Sequence, residues 1–152
     1  MVDYFYVFLS LLAGLFSTLM MSVFEFPFWR KWGLEGALEW HENQVLYSKF
    51  FKTDVTQINF PGLFFLHFVN GGLGGIGFYY LLTLFPSLIT VADFVGLLYG
   101  VVLWVLTLLP IHKPITGIDP FKHPLGLGPP ITSLIGHLLY GAILSVLIIR
   151  IF

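Results

Sequence analysis

Pro61-Gly-Leu-Phe-Phe-Leu-His67-Phe-Val-Asn-Gly71-Gly-Leu-Gly74-Gly-Ile-Gly77-Phe-Tyr-Tyr-Leu-Leu-Thr-Leu-Phe85 runs for twenty-five residues without one Asp, Glu, Lys or Arg. A helix needs about 20 mostly apolar residues to cross a bilayer. The run is too long for a barrel strand and lacks the alternation such a strand requires. Pro61 falls where proline is tolerated, in the first helical turn.

Three further stretches qualify on the same grounds: 4–24, 91–109 and 130–152. Together they predict an all-α integral membrane four-helix bundle, a single domain over 1–152. The composition agrees, with 57 % hydrophobic and 10 % charged residues. A soluble domain carries about a quarter charged residues. This balance excludes an ordinary water-soluble enzyme, a disordered tail and a nucleic-acid binder, which needs a basic surface. The absence of Cys excludes disulfides, iron–sulfur clusters and thiolate zinc. Asp3 stands where a signal peptide has a basic region, so the first stretch reads as an uncleaved span. Thr90 and Asp93 fit a helix cap and its N3 partner; the rival for Asp93 is a proton-carrying intramembrane acid.

The charges sort by loop. Residues 25–60 hold Arg30, Lys31, Lys49 and Lys52, and 110–129 hold Lys113 and Lys122, six of the seven basic residues. The turn 86–90 has none. The positive-inside rule puts both long loops in the cytoplasm and both termini outside, in a prokaryotic plasma membrane. Trp29, Trp32 and Trp40 then form an aromatic belt. Within the first loop, 34–51 has Leu34, Ala37, Leu38, Val45 and Leu46 with Glu35, Glu39 and Glu42 largely opposite. That pattern predicts an interfacial amphipathic helix. The second loop, rich in Pro and Gly, reads as irregular chain ordered by packing.

Two helix openings match. His67 precedes Gly71 by four positions and His137 precedes Gly141 by four, with seventy positions between the copies. Pro61 and Pro130 lie six and seven residues ahead. Pro27 and Pro110 follow the first and third spans. This predicts two helical hairpins as a parallel internal repeat. Each His then lies about 10 Å into its helix, at one depth. Small residues recur every fourth position: Ser10, Gly14, Thr18 and Ser22; Gly71 and Gly75; Gly96 and Gly100; Gly141 and Ser145. They mark helix–helix seams, where small side chains let backbones approach in lipid. The Ser17-Thr-Leu-Met-Met-Ser22 helix ending and the two His-x3-Gly openings resemble small four-helix prokaryotic membrane families of unknown function. The resemblance implies the paired-hairpin fold and no activity. Ser145 departs from it, since those families often have Gly there.

His67 and His137 have an ordinary reading, as buried rings bonded across a seam to Asn70, Tyr140 or Thr18, worth about 0.6 kcal/mol each. They are also candidate axial ligands of a haem, with Gly at i+4 clearing space for the macrocycle, or members of a metal or proton-relay site. In the loops, Glu39, His41, Glu42, His112 and His123 are candidate metal ligands, with Asp119 nearby. Their spacing fits neither Glu-x-x-His nor His-Glu-x-x-His, and a solvated interfacial face is the ordinary account of them. No phosphate loop, nucleophile elbow or other catalytic residue stands out.

The economical expectation is a non-catalytic accessory subunit of a larger membrane assembly, respiratory or another oxidoreductase. It would meet other membrane subunits and lipid through its abundant aromatics, 17 Phe, 7 Tyr and 4 Trp. A bis-His haem carrier and an oligomeric channel or transporter are the alternatives.

Overall fold

The computed structural model describes residues 4–151, so Asp3 and the expected end of the last span at 152 lie outside it. Six helices follow one another: α1 Tyr4–Trp32, α2 Leu38–Phe51, α3 Phe60–Leu84, α4 Ala92–Thr107, α5 Lys113–Thr116 and α6 Gly128–Ile149. No strand occurs among the described residues. Three helical segments are long and apolar enough to cross a membrane: Tyr4–Trp32, Pro86–Thr116 and Gly128–Ile149. This fits a membrane protein. α3 has the length, at 25 residues, but its glycines, His67 and Asn70 make it less apolar than those three.

The outer surface carries the apolar bulk. Phe5, Phe8, Leu12, Phe16, Leu19, Val23 and Phe26 stand exposed along one stripe of α1, while Ser10, Gly14, Ser17, Thr18 and Ser22 are buried. A soluble helix has the reverse distribution. The buried hydroxyls cost little, because each bonds its own helix: Ser17, Thr18 and Ser22 donate to the carbonyls four residues back at 2.8, 2.8 and 2.9 Å.

α1 packs antiparallel against α3, α4 against α6, and α1 against α6. Both hairpin seams are backbone against backbone. A Cβ on Gly14 would strike the Gly71 carbonyl and sit 3.0 Å from Gly75 Cα, and one on Gly96 would strike the Gly141 carbonyl. A Cβ on Gly100 would strike the carbonyl of His137. The C-terminal ends of α1 and α4 and the N-terminal ends of α3 and α6 therefore meet at one end, here the loop end. At the opposite, turn end, Phe78, Leu82, Leu144 and Ile148 are fully buried in an apolar core.

Several boundaries differ from the sequence expectation. α1 continues eight residues beyond 24. Pro27 removes one helical hydrogen bond and sets its ring against the Val23 carbonyl, yet α1 runs on past it. The extension is anchored by Trp40 Nε1, which donates to Glu25 at 2.8 Å, and by Phe28 against Trp32 at 5.6 Å. Thr90 does not cap α4. The chain enters through a 3-10 turn, Pro86–Val91, with Val91 at the N-cap and no side-chain bond there, and the Thr90 hydroxyl donates to the Ser87 carbonyl at 3.0 Å. The loop after α4 is mostly helical. A π-turn, Leu108–His112, leads into α5. Pro110 lacks an N–H and its ring would press on the Leu106 carbonyl in an α-turn; the wider π-turn relieves that clash.

α2 begins at Leu38 after a separate 3-10 turn, Leu34–Gly36. It packs across the loop end, touching α3, α5 and α6. Its glutamates do not point away from the membrane as expected. Glu39 and Glu42 are buried, because the π-turn and α5 cover α2 from outside and the bundle lies beneath it. Lys49 Nζ ties α2 to the Ile115 carbonyl at 2.8 Å. The fully buried Gln44 pins the next loop. Its amide donates to the Gln57 carbonyl at 2.8 Å and its oxygen accepts from Asn59 N–H at 3.0 Å. Asn59 in turn caps α3 through Gly62 N–H at 2.8 Å, which sets where α3 begins and so the depth of His67.

Candidate functional site

All five histidines of the chain gather at the loop end with three glutamates. The helix openings supply two of them. His67 on α3 and His137 on α6 are each 6 % exposed, at equivalent places one turn before Gly71 and Gly141. His137 Nδ1 lies 2.9 Å from the Ser133 carbonyl and 3.5 Å from Glu39 Oε1. The Ser133 hydroxyl donates to the same Glu39 oxygen. Burial drives Glu39 toward the neutral acid, but His137, Ser133, the α2 backbone and His67 outweigh it and hold the carboxyl below its usual range.

A second layer lies outward of the first. Glu42 Oε2 approaches His112 Nδ1 at 3.4 Å, without hydrogen-bond alignment. Burial raises the Glu42 carboxyl. His112 is fully buried and meets His41 edge to face at 6.0 Å. Burial, then His112, holds His41 down to about 4, so it is neutral at physiological pH. His123, also buried, accepts from Leu125 N–H at 3.1 Å through Nδ1.

Many of these atoms have no protein partner. Glu25 Oε1, Glu39 Oε2, His41 Nδ1, His67 Nε2, both His112 nitrogens and His123 Nε2 are buried and unbonded. Such orphans are costly and ask for protons or water. A cavity of about 110 Å³ is lined by Glu39, Glu42, His67, Asn70, His137 and Tyr140, with Thr18, Met21, Asn43, Gly71, Leu103 and Thr107 completing its wall. A water site needs roughly 10–15 Å³ of such space, so several fit. No Lys or Arg is among the lining residues. Toward the turn end the polar wall stops at two tyrosines. Tyr140 donates to the Gly71 carbonyl at 2.6 Å and Tyr99 to the Gly74 carbonyl at 2.8 Å. Beyond them lies the apolar core.

The sequence candidates fall as follows. His67 and His137 line one cavity, with Glu39 and Glu42 between them and the loops. Neither His pairs with Asn70, Tyr140 or Thr18; Tyr140 and Thr18 bond backbone carbonyls instead. The cavity is too small for a haem macrocycle, so the pair does not fit that group. Among the described residues no three His or carboxylate groups are placed to hold a metal ion. Glu39, His41, Glu42, His112 and His123 are not a solvated face either, since all but His41 are buried. Asp119 stands apart, paired on the surface with Lys113 at 3.1 Å. Asp93 is exposed in the first turn of α4 and accepts weakly from Ser145 at 3.3 Å. The small-residue positions Ser10, Gly14, Thr18, Gly71 and Gly75 lie on the α1–α3 seam, and Gly96, Gly100, Gly141 and Ser145 on the α4–α6 seam.

Glu25, Trp40 and Ser133 belong to the site and were not anticipated. Glu25 is 3 % exposed. Its signal in the sequence is a lone acid directly after an apolar run, which also reads as the first residue of a loop. No protein-family model, curated protein or solved structure matches the chain.

Proposed function

We propose that the chain is a four-span membrane protein that takes up protons at its loop end, serving as a non-catalytic, proton-handling unit of a larger membrane assembly. The observation that carries this reading is the buried Glu–His cluster around a cavity of water size. Buried ionisable groups inside a membrane protein are expensive and mark proton or ion pathways. His changes charge near neutral pH, and a chain of His and Glu joined by water passes protons readily. The cluster ends at an apolar core, so it is a closed-end site rather than an open channel. Delivering its proton elsewhere requires motion or a partner.

α3 is taken as the fourth span, and the two hairpins as a parallel repeat. In support, Gly14 meets the carbonyl of Gly71 as Gly96 meets that of Gly141, and those two carbonyls are seventy positions apart, like the two histidines. The basic residues favour the loop end on the cytoplasmic side. In a chain without Cys, single cysteines at Lys52 and Ser87 test the topology. A membrane-impermeant maleimide added to intact cells is expected to label Ser87→Cys and not Lys52→Cys; the opposite pattern inverts it.

The functional test is the purified chain in vesicles with the loop end outward and a pH-sensitive dye in the outer solution, which reads protons bound at that end. An acid step on the loop side is expected to give saturable proton uptake, lost in Glu39→Gln and in His137→Ala. Uptake equal to that of empty vesicles overturns the reading.

A further inference from the structure

Glu25 comes from the end of α1 and Glu39 from the start of α2, yet both carboxyl groups reach the same turn of α6. Three anchors triangulate the pair. Trp40 Nε1 donates to Glu25 Oε2 at 2.8 Å. Ser133 donates to Glu39 Oε1. Glu25 Oε1 lies against Gly136, 3.2 Å from where a Cβ would stand, and Gly136 sits between Ser133 and His137 on α6. Each carboxyl thus uses one oxygen on a donor. The remaining oxygens, Glu25 Oε1 and Glu39 Oε2, are both buried and both without a partner.

Two carboxylates cannot face each other in a low-dielectric interior with both charges intact. The groups that face the pair are His137 and Ser133 from α6, His67 from α3, and Glu42 and Trp40 from α2. No Lys or Arg is available to neutralise a second charge. One proton between the two orphan oxygens satisfies both at once. Glycine at 136 leaves the room this needs, since a methyl group there would also press on Met21 at 3.3 Å.

We propose that Glu25 and Glu39 form an acid pair that stores one proton between Glu25 Oε1 and Glu39 Oε2, with Trp40 fixing the Glu25 end. The pair deepens the proton-uptake reading, for it names the atoms that hold the proton, and it rests on that reading only for its purpose. The proton is exchanged, with no bond between heavy atoms made or broken. His137, 3.5 Å from Glu39, is the nearest route between the pair and the cavity.

Infrared difference spectra of the full chain in vesicles, recorded as pH is stepped, read the pair directly. The wild type is expected to give a carboxylic-acid C=O band. Glu25→Gln is expected to abolish it, and Glu39→Gln, which leaves the buried Glu25 acid in place, to shift it. Gln keeps the size and the acceptor oxygen of Glu, and circular dichroism checks the fold. Trp40→Phe is expected to shift the band without removing it. A band that survives Glu25→Gln, or one unmoved by Glu39→Gln, overturns the shared proton, as does a band unmoved by Trp40→Phe. Dye uptake is read from the same vesicles. A band lost with uptake intact leaves the pair standing and removes its transport role; uptake lost with the band intact separates the relay from the pair.

Discussion

The two ends of the bundle are built from opposite materials. At the turn end, Phe78, Leu82, Leu144 and Ile148 pack to zero exposure, and no His, Asp, Glu, Lys or Arg belongs to that core. At the loop end, five His and three Glu cluster beside a cavity that His67, His137, Glu39 and Glu42 line, and seven of their carboxyl and ring atoms have no protein partner. The glycine seams run between, holding α1 to α3 and α4 to α6 at backbone contact. Cohesion is concentrated where the protein is dry, and the strained, protonatable groups are confined to where loops can supply water. A membrane bundle can carry that cost because packing at one end is independent of hydration at the other.

Substitutions can break or sharpen this contrast. The largest effect is expected at the seams. Gly100→Leu drives a side chain into the His137 backbone and should cost about 3 kcal/mol or more, seen as loss of the folded state in equilibrium unfolding in detergent. A near-neutral result would mean the seam is not in backbone contact. Next comes the loop end. Glu39→Ala strands Ser133 and His137, at about 1–3 kcal/mol for the lost buried partner. Replacing Glu39 and Ser133 together by Ala should cost less than the sum of the two single replacements, and strict additivity would contradict the bond between them.

The pH response should belong to the loop end as well. His41 titrates near 6.5 in an unfolded chain and near 4 in the folded one. Below 6.5 the unfolded state takes the proton first, so stability falls as pH drops from about 6.5 to about 4 and then levels off. His41→Gln should flatten that arm of the denaturation profile, and an unchanged slope would remove His41 as its source. The smallest effect is expected at the turn end. Thr90→Ala should stay within about 0.5 kcal/mol, because Thr90 does not cap α4; a loss near 1 kcal/mol would restore the capping role.

Much of the helix layout was readable from apolar run length, and the seams from small residues at i and i+4, because both follow from lipid as solvent. Site membership was only half readable. His67 and His137 stood out because a lone His in an apolar span has few neighbours to blend with. Glu39 and Glu42 read only as candidate metal ligands or a solvated face, because an amphipathic pattern fixes which residues share a face and is silent on which face meets the bundle. α2 is covered on both sides, so its polar face turned inward against the usual rule. Glu25 was lost to a boundary: Pro27 looked like a stop, and nothing local reveals that a tryptophan fifteen positions on would hold the helix past it. The glycines, His67 and Asn70 that dilute the apolarity of α3 are also what let it pack so closely and line the cavity.

The π-turn at Leu108–His112 sets the angular phase of everything after α4. It inserts one residue into a helix that otherwise advances about 100° per residue. Deleting a single residue there removes the extra residue the wide turn absorbs, so His112, which lies within that turn, loses its place against Glu42 and His41, while the composition and length of the span stay almost untouched. The outer layer of the cluster therefore depends on a count of residues as much as on their identity. Drift by insertion or deletion in this short stretch would silence that layer without any change to a histidine or a glutamate.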